Sequence, residues 1–237
     1  MTTWVKICGV TRIQDAHAAF DCGADAIGIN FWPSSKRYCR PEHAREIVAA
    51  LSPGALVFGV FVRATREEIE EVARDVGLGG VQLHGGEPAS EAEGWDLPLI
   101  RAVAATSRLA VVSRLNKARE TGDRYRFPND GRGDTAETAR EIGTCPRFPR
   151  GTYRVLVDNA AGGGSGTTID PELLDGVDLR DAILAGGLTP VNVAANVARY
   201  RPFGVDTASG VEHSPGIKDA SLIEAFVRQA RAPKPPR

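Results

Sequence analysis

Short apolar, β-branched runs alternate with segments of helical periodicity along the whole 237-residue chain. Residues 5–8 read as a strand, after which Thr11 is placed to cap a helix reaching about Asp21. Residues 26–31 form a second apolar run, and Pro41 sits where a helix over 42–51 would begin. A third strand is expected over 56–61. Thr65-Arg66-Glu67-Glu68 then has the form of a capping box, with Ile69, Val72, Ala73 and Val76 on one helical face. Residues 80–84 and 99–104 read as the fourth and fifth strands, with a helix over about 107–119. Strands over 153–158, 182–185 and 204–208 follow. A helix over 191–200 separates the last two, and a final helix places Leu222, Ile223, Phe226, Val227 and Ala230 on one face.

Eight strand–helix units without hairpin signals predict a parallel sheet. Strands this short and apolar are buried on both faces, which favours closure into a single (β/α)8 barrel over residues 1–237, and such barrels take about 250 residues. An open doubly wound sheet fits the same periodicity, because periodicity does not report closure. Residues 120–151 break the rhythm. They are rich in Gly and Pro and far exceed the usual connection of about 2–6 residues, so they read as a surface insertion before strand six.

Composition narrows the function. Lys plus Arg number 29 and Asp plus Glu 30, a balance that argues against nucleic acid or an anionic membrane as partner. No apolar run reaches the roughly 18–20 residues of a membrane span, and the first residues have no basic region followed by an apolar stretch. The four cysteines, Cys8, Cys22, Cys39 and Cys145, include no C-x-x-C pair, so neither a zinc site nor a disulfide framework is expected and a reducing cytoplasm is.

In such a barrel the chemistry sits at the C-terminal ends of the strands. Strand one ends there in Cys8, strand four in His84 and strand six in Asp158. Strand two leads to Trp32, Lys36 and Arg37. The turns at Gly186-Gly187 and Ser209-Gly210, with Gly164 in a third Gly-rich turn, let backbone N–H groups approach an anion and so suggest a phosphorylated ligand. Each residue also has a plainer reading. Cys8 is either a core thiol or a base, and Lys6, on the same face, either favours its thiolate or pairs with Asp206 on the neighbouring strand. Asp158 is a turn residue or an acid. His84 is structural or a base, and Arg37 is solvated or holds a carboxylate.

Several of these segments together resemble the phosphoribosylanthranilate isomerase family of tryptophan biosynthesis. They are Lys6-Ile7-Cys8-Gly9-Val10-Thr11, Ser35-Lys36-Arg37-Tyr38, Val81-Gln82-Leu83-His84-Gly85, Ala185-Gly186-Gly187-Leu188 and the run from Val205 to Glu212. The likeness spans the chain outside about 120–151. It implies a cofactor-independent and metal-independent (β/α)8 isomerase, cytoplasmic, monomeric or homodimeric, that performs an Amadori rearrangement of a phosphorylated aminoaldose. By the resemblance Cys8 matches the general base, Asp158 the general acid, and Arg37 the residue that orients the anthranilate carboxylate. The turns at Gly186-Gly187 and Ala208-Ser209-Gly210 match its phosphate-binding backbone; His84 and Gly164 join the substrate-binding set from their own places at strand ends and in a Gly-rich turn. The chain departs from the family after the third turn. Thr167-Thr168-Ile169-Asp170-Pro171 stands where a Lys and two aromatic residues are common, and the 120–151 insertion is additional. Two other readings are a different phosphosugar isomerase or epimerase, and a barrel that keeps the phosphate turns without turnover.

Overall fold

The structure, a computed structural model, describes residues 2–87, 94–122, 148, 153–159 and 168–232, with only the backbone of 118–122. Eight parallel strands close into a barrel: β1 (Trp4–Cys8), β2 (Ala26–Asn30), β3 (Val57–Phe61), β4 (Gly80–Leu83), β5 (Leu99–Ala104), β6 (Tyr153–Asp158), β7 (Ile183–Leu184) and β8 (Gly204–Thr207). Closure is made by β8 against β1, with Trp4 opposite Gly204 and Lys6 opposite Asp206. The open-sheet alternative is thereby excluded. Around the barrel lie α1 (Ile13–Asp21), α2 (Pro41–Ala49), α3 (Arg66–Val76), α4 (Arg108–Gly122), α5 (Pro171–Leu174), α6 (Val193–Tyr200) and α7 (Ala220–Ala230). Between β4 and β5 the described residues contain no helix.

Strand alternation builds two cores. Val5, Ile7, Ile27, Val81 and Val205 point outward into a layer shared with the helices. Trp4, Phe58, Ile100, Leu156 and Ile183 point inward and fill the barrel floor. The expected capping box on α3 is present. Thr65 Oγ1 accepts from Glu68 N, and the Glu68 carboxylate accepts from Thr65 N, so two otherwise orphaned donors are satisfied.

Three expectations need correction. Thr11 does not cap α1; Arg12 occupies the N-cap, and the Thr11 hydroxyl donates instead to the Gly216 carbonyl at 2.6 Å. That carbonyl belongs to a hairpin that the periodicity did not suggest: β9 (Glu212–Ser214) and β10 (Ile217–Lys218), antiparallel around Pro215-Gly216, with Gly216 at φ +83°. Strands of two or three residues are too short to show alternation. The third correction is Phe148, read as part of a surface insertion. It is fully buried in the floor, with its ring centroid 5.5 Å from Trp4, 5.4 Å from Phe58 and 6.1 Å from Phe203. The rest of the insertion from 123 to 151 lies outside the described residues.

Candidate active site

Above the aromatic floor the barrel interior turns polar. Along β1 the inward positions run Trp4, Lys6, Cys8, so a strand that starts in the floor ends in a thiol at the mouth. Lys6 is fully buried, and its Nζ donates to Asp206 Oδ1 at 2.8 Å. Burial works against the ammonium, but Asp206 and then Cys8 outweigh it, and the Lys6 pKa moves upward. Lys6 thus forms the buried pair with Asp206, and its ammonium also works against the burial that raises the Cys8 pKa. For Cys8, burial pushes the thiol above its ordinary range, with Asp206 adding to this and Lys6 and Lys218 opposing it. Gly28 on β2 leaves room for the group. A Cβ there would stand 2.8 Å from Cys8 Sγ and 3.2 Å from Lys6 Nζ.

Asp158 ends β6, three strands round the barrel from Cys8. Its Oδ1 accepts from the Asn159 N–H at 2.8 Å, and its Oδ2 lies 3.3 Å from His84 Nε2. The other ring nitrogen of His84, Nδ1, lies 2.9 Å from the Gln82 amide nitrogen. Gln82 was missed in the sequence, although it precedes His84 by two residues and so shares its inward face.

The turns after β7 and β8 lie side by side, because those strands pair. Gly186 and Gly187 both have left-handed backbones, at φ +80° and +65°. A Cβ on Gly186 would come within 3.1 Å of Asp158 Oδ1, so the turn also abuts the carboxylate. Ser209 and Gly210 open a single 3-10 turn (Ser209–Val211), and a Cβ on Gly210 would collide with the Leu188 carbonyl. Thr207 Oγ1 donates to that carbonyl at 2.7 Å and ties the two turns together. Gly164 lies outside the described residues.

Arg37 crosses Gly9, whose missing Cβ makes space for it, and forks onto Glu212 through Nε at 2.7 Å and Nη2 at 2.6 Å. Sequence reasoning quoted Glu212 only as part of a motif and missed its pairing, because the hairpin that carries it was not foreseen. Cys8, Arg37, His84, Asp158, Gly187 and Ser209 all line one cavity of about 260 Å³ at the barrel mouth. Trp32, still 41% exposed, forms part of its wall.

A barrel with a thiol and a carboxylate facing one cavity, and glycine turns after its last two strands, belongs among the (β/α)8 proteins built to receive a small phosphorylated ligand. Comparison with known proteins narrows that class. The family model described as N-(5'-phosphoribosyl)anthranilate (PRA) isomerase matches residues 5–138 and 137–229, and the chain belongs to this family. A relative from Myxococcus xanthus, N-(5'-phosphoribosyl)anthranilate isomerase, is 40% identical over 236 residues, covering 98% of each chain. The protein of the same name from Pseudomonas fluorescens is 39% identical, covering 95% of this chain and 97% of its own. Among solved structures, phosphoribosyl anthranilate isomerase from Thermotoga maritima superposes with a TM-score of 0.74 at 34% identity, covering 96% of this chain and 98% of that one.

Proposed function

We propose that the chain converts N-(5'-phosphoribosyl)anthranilate to 1-(2-carboxyphenylamino)-1-deoxyribulose 5-phosphate, an isomerisation in tryptophan biosynthesis. The observation that carries this reading is that Cys8 and Asp158, on strands three apart in the barrel, line one cavity that Arg37 and the paired glycine turns also line. An acid and a base that served each other would touch. These two are set apart to serve different atoms of one substrate. The reading is supported by the relatives' names and by a solved phosphoribosyl anthranilate isomerase in complex with reduced 1-(o-carboxyphenylamino)-1-deoxyribulose 5-phosphate, 33% identical with a TM-score of 0.71.

The substrate is a closed-ring aminoaldose and cannot isomerise until the ring opens. Asp158 gives its proton to the ring oxygen. The bond from that oxygen to C1 breaks, and the nitrogen lone pair forms a Schiff base. The C2 proton is now acidic, and the Cys8 thiolate removes it. The electron pair left at C2 forms a C1=C2 double bond while the C=N π pair returns to nitrogen, giving an enolamine, which tautomerises to the ketone. One acid and one base complete the proton transfers. His84, with Nε2 3.3 Å from Asp158 Oδ2, orients that carboxyl towards the cavity. Arg37 presents its remaining N–H groups to the anthranilate carboxylate, and the backbone at Gly186, Gly187, Ser209 and Gly210, with Gly164, takes the phosphate.

We place the reaction in the cytoplasm, with the chain monomeric or homodimeric and without nucleic-acid or membrane partners. Among the described residues no helix is long and apolar enough to cross a membrane, and Cys8, Cys22 and Cys39 are free thiols. The test is an assay of purified protein with freshly made phosphoribosylanthranilate, following loss of its fluorescence. Turnover is expected in the wild type and is lost in Cys8→Ala and Asp158→Asn, each by about 10²–10⁴-fold. No turnover by the folded wild type would overturn the reading.

A further inference from the structure

Three charges lie packed together behind the cavity wall. Glu212 takes both Arg37 hydrogen bonds, and its Oε1 also accepts from Lys218 Nζ at 2.9 Å. Lys218 donates in addition to the Ala208 carbonyl at 3.0 Å. The Lys218 and Glu212 side chains are only 0% and 5% exposed. Neighbouring charges pair one to one: Arg12 forks onto Asp15, and Lys6 meets Asp206. In the cluster, by contrast, two cations share one anion.

That surplus matters because of where it emerges. Of the three residues, Arg37 alone lines the cavity. A bidentate arginine–carboxylate pair is close to neutral for a second carboxylate nearby, so Arg37 with Glu212 alone would attract an anionic ligand weakly. Glu212 already satisfies the arginine fork without help from a lysine. A buried ammonium is costly, and an apolar side chain would hold the hairpin at less cost. Burial does push the Lys218 pKa down against the pull of Glu212, which is the sign of that cost. The lysine therefore has a use beyond packing.

We propose that Lys218 is a positioning residue that offsets the charge of Glu212, so that Glu212 can aim Arg37 while Arg37 keeps its positive charge for a carboxylate on the ligand's aromatic ring. The inference rests on the isomerase reading and extends it to how the substrate carboxylate is recognised. It makes binding depend on a count of charges, which a purely structural role does not.

The test uses two ligands, reduced 1-(o-carboxyphenylamino)-1-deoxyribulose 5-phosphate and its counterpart lacking the ring carboxylate. Both are titrated calorimetrically against full-length protein whose folding is checked by circular dichroism. The wild type is expected to prefer the carboxylated ligand. Lys218→Met should reduce that preference about tenfold or more, the scale of one charge-assisted hydrogen bond. Adding Glu212→Gln to Lys218→Met removes the uncompensated anion and should restore the preference. An unchanged preference in folded Lys218→Met, or a double variant poorer than the single one, overturns the inference alone. A wild type with no preference overturns the substrate reading together with it. If Lys218→Met does not fold, Lys218→Gln, which keeps a donor but not the charge, should lower the preference, and an unchanged preference there would overturn the proposal.

Discussion

His84 Nε2 lies 3.3 Å from Asp158 Oδ2, while His84 Nδ1 faces the Gln82 amide nitrogen at 2.9 Å. The amide holds one edge of the ring and the carboxyl meets the other, so the imidazole is held from both sides. With the Gln82 nitrogen as donor, Nδ1 accepts and Nε2 carries the hydrogen that points at Asp158. The carboxyl is thus fixed by His84 on one oxygen and by the Asn159 N–H on the other. His84 is engaged with the acid, and this placement disfavours the alternative in which His84 is the base.

His84→Ala is therefore expected to lower kcat with little change in KM, by about one-tenth to one-half of the logarithmic loss caused by Asp158→Asn, itself roughly 10²–10⁴-fold. Gln82→Leu should act in the same direction and more weakly, since it frees only the far side of the ring. Steady-state kinetics check both. A His84 variant whose KM rises while kcat holds would assign the ring to ground-state binding instead.

The pH dependence follows from Cys8. Burial raises its pKa above the ordinary thiol value of 9.0, with Lys6 only partly opposing this. A base with a raised pKa is mostly protonated at neutral pH, and its active fraction grows as pH increases. In Asp158→Asn, where the acid no longer titrates, the residual kcat/KM is expected to rise from neutral pH into the alkaline range with no plateau below pH 9.0, the limb set by the free enzyme's base. Lys6→Met should move this rise to still higher pH, because the cation that favours the thiolate is gone. A profile already flat at neutral pH in the Asp158→Asn variant would mean that Cys8 is not the titrating base. Cys8→Ser should recover little activity, since a hydroxyl ionises far less readily than a thiol.

Much of this was legible in the chain before the structure. The barrel followed from eight buried strands separated by helical patterns, and the capping box at Thr65 from one local motif. Cys8, His84 and Asp158 could be assigned to the mouth because each ends an apolar strand, and strand ends share one rim in a barrel. What escaped depends on long-range pairing. Glu212 meets Arg37 across 175 residues, and Lys6 meets Asp206 across 200. The second was foreseeable only because closure puts β8 beside β1; the first needed a hairpin whose strands are too short to leave a pattern. Phe148 was hidden for another reason: one aromatic residue in a Gly- and Pro-rich stretch has no periodicity to report its burial.

Phe148 also changes what can be removed from the insertion. Its ring fills the floor between Trp4, Phe58 and Phe203, so Phe148→Ala should cost about 3–5 kcal/mol of stability, as cavities left by large aromatic residues do. Replacing residues 121–150 with a Gly/Ser linker removes the same ring and should destabilise the barrel similarly. Replacing only 123–147 keeps it and should leave activity within about tenfold, or ~1.4 kcal/mol of barrier. Urea unfolding beside turnover separates the cases. Equal stability for the two replacements would show that the floor does not need the ring.

Gly28 gives the most selective test of the base. Its backbone lies in β2, opposite Cys8, and is not among the positive-φ positions. An alanine there meets no backbone strain, and its effect comes from contact alone. A Cβ at this position would stand 2.8 Å from Cys8 Sγ, too close for that atom to stay, and 3.2 Å from Lys6 Nζ. Lys6 is anchored by Asp206 and fully buried, so the thiol is the freer of the two to move, towards the cavity. Overpacking of this kind typically costs about 1–3 kcal/mol of stability. The loss of turnover should be larger in proportion, because displacement of a base by about 1 Å can cost on the order of 10²-fold. Gly28→Ala is therefore expected to fold, to bind the reduced product nearly as the wild type does, and to lose roughly 10²-fold in kcat. Thermal melts, ligand titration and steady-state kinetics on one preparation read all three. Near-normal turnover in that variant would place the proton-abstracting group somewhere other than Cys8.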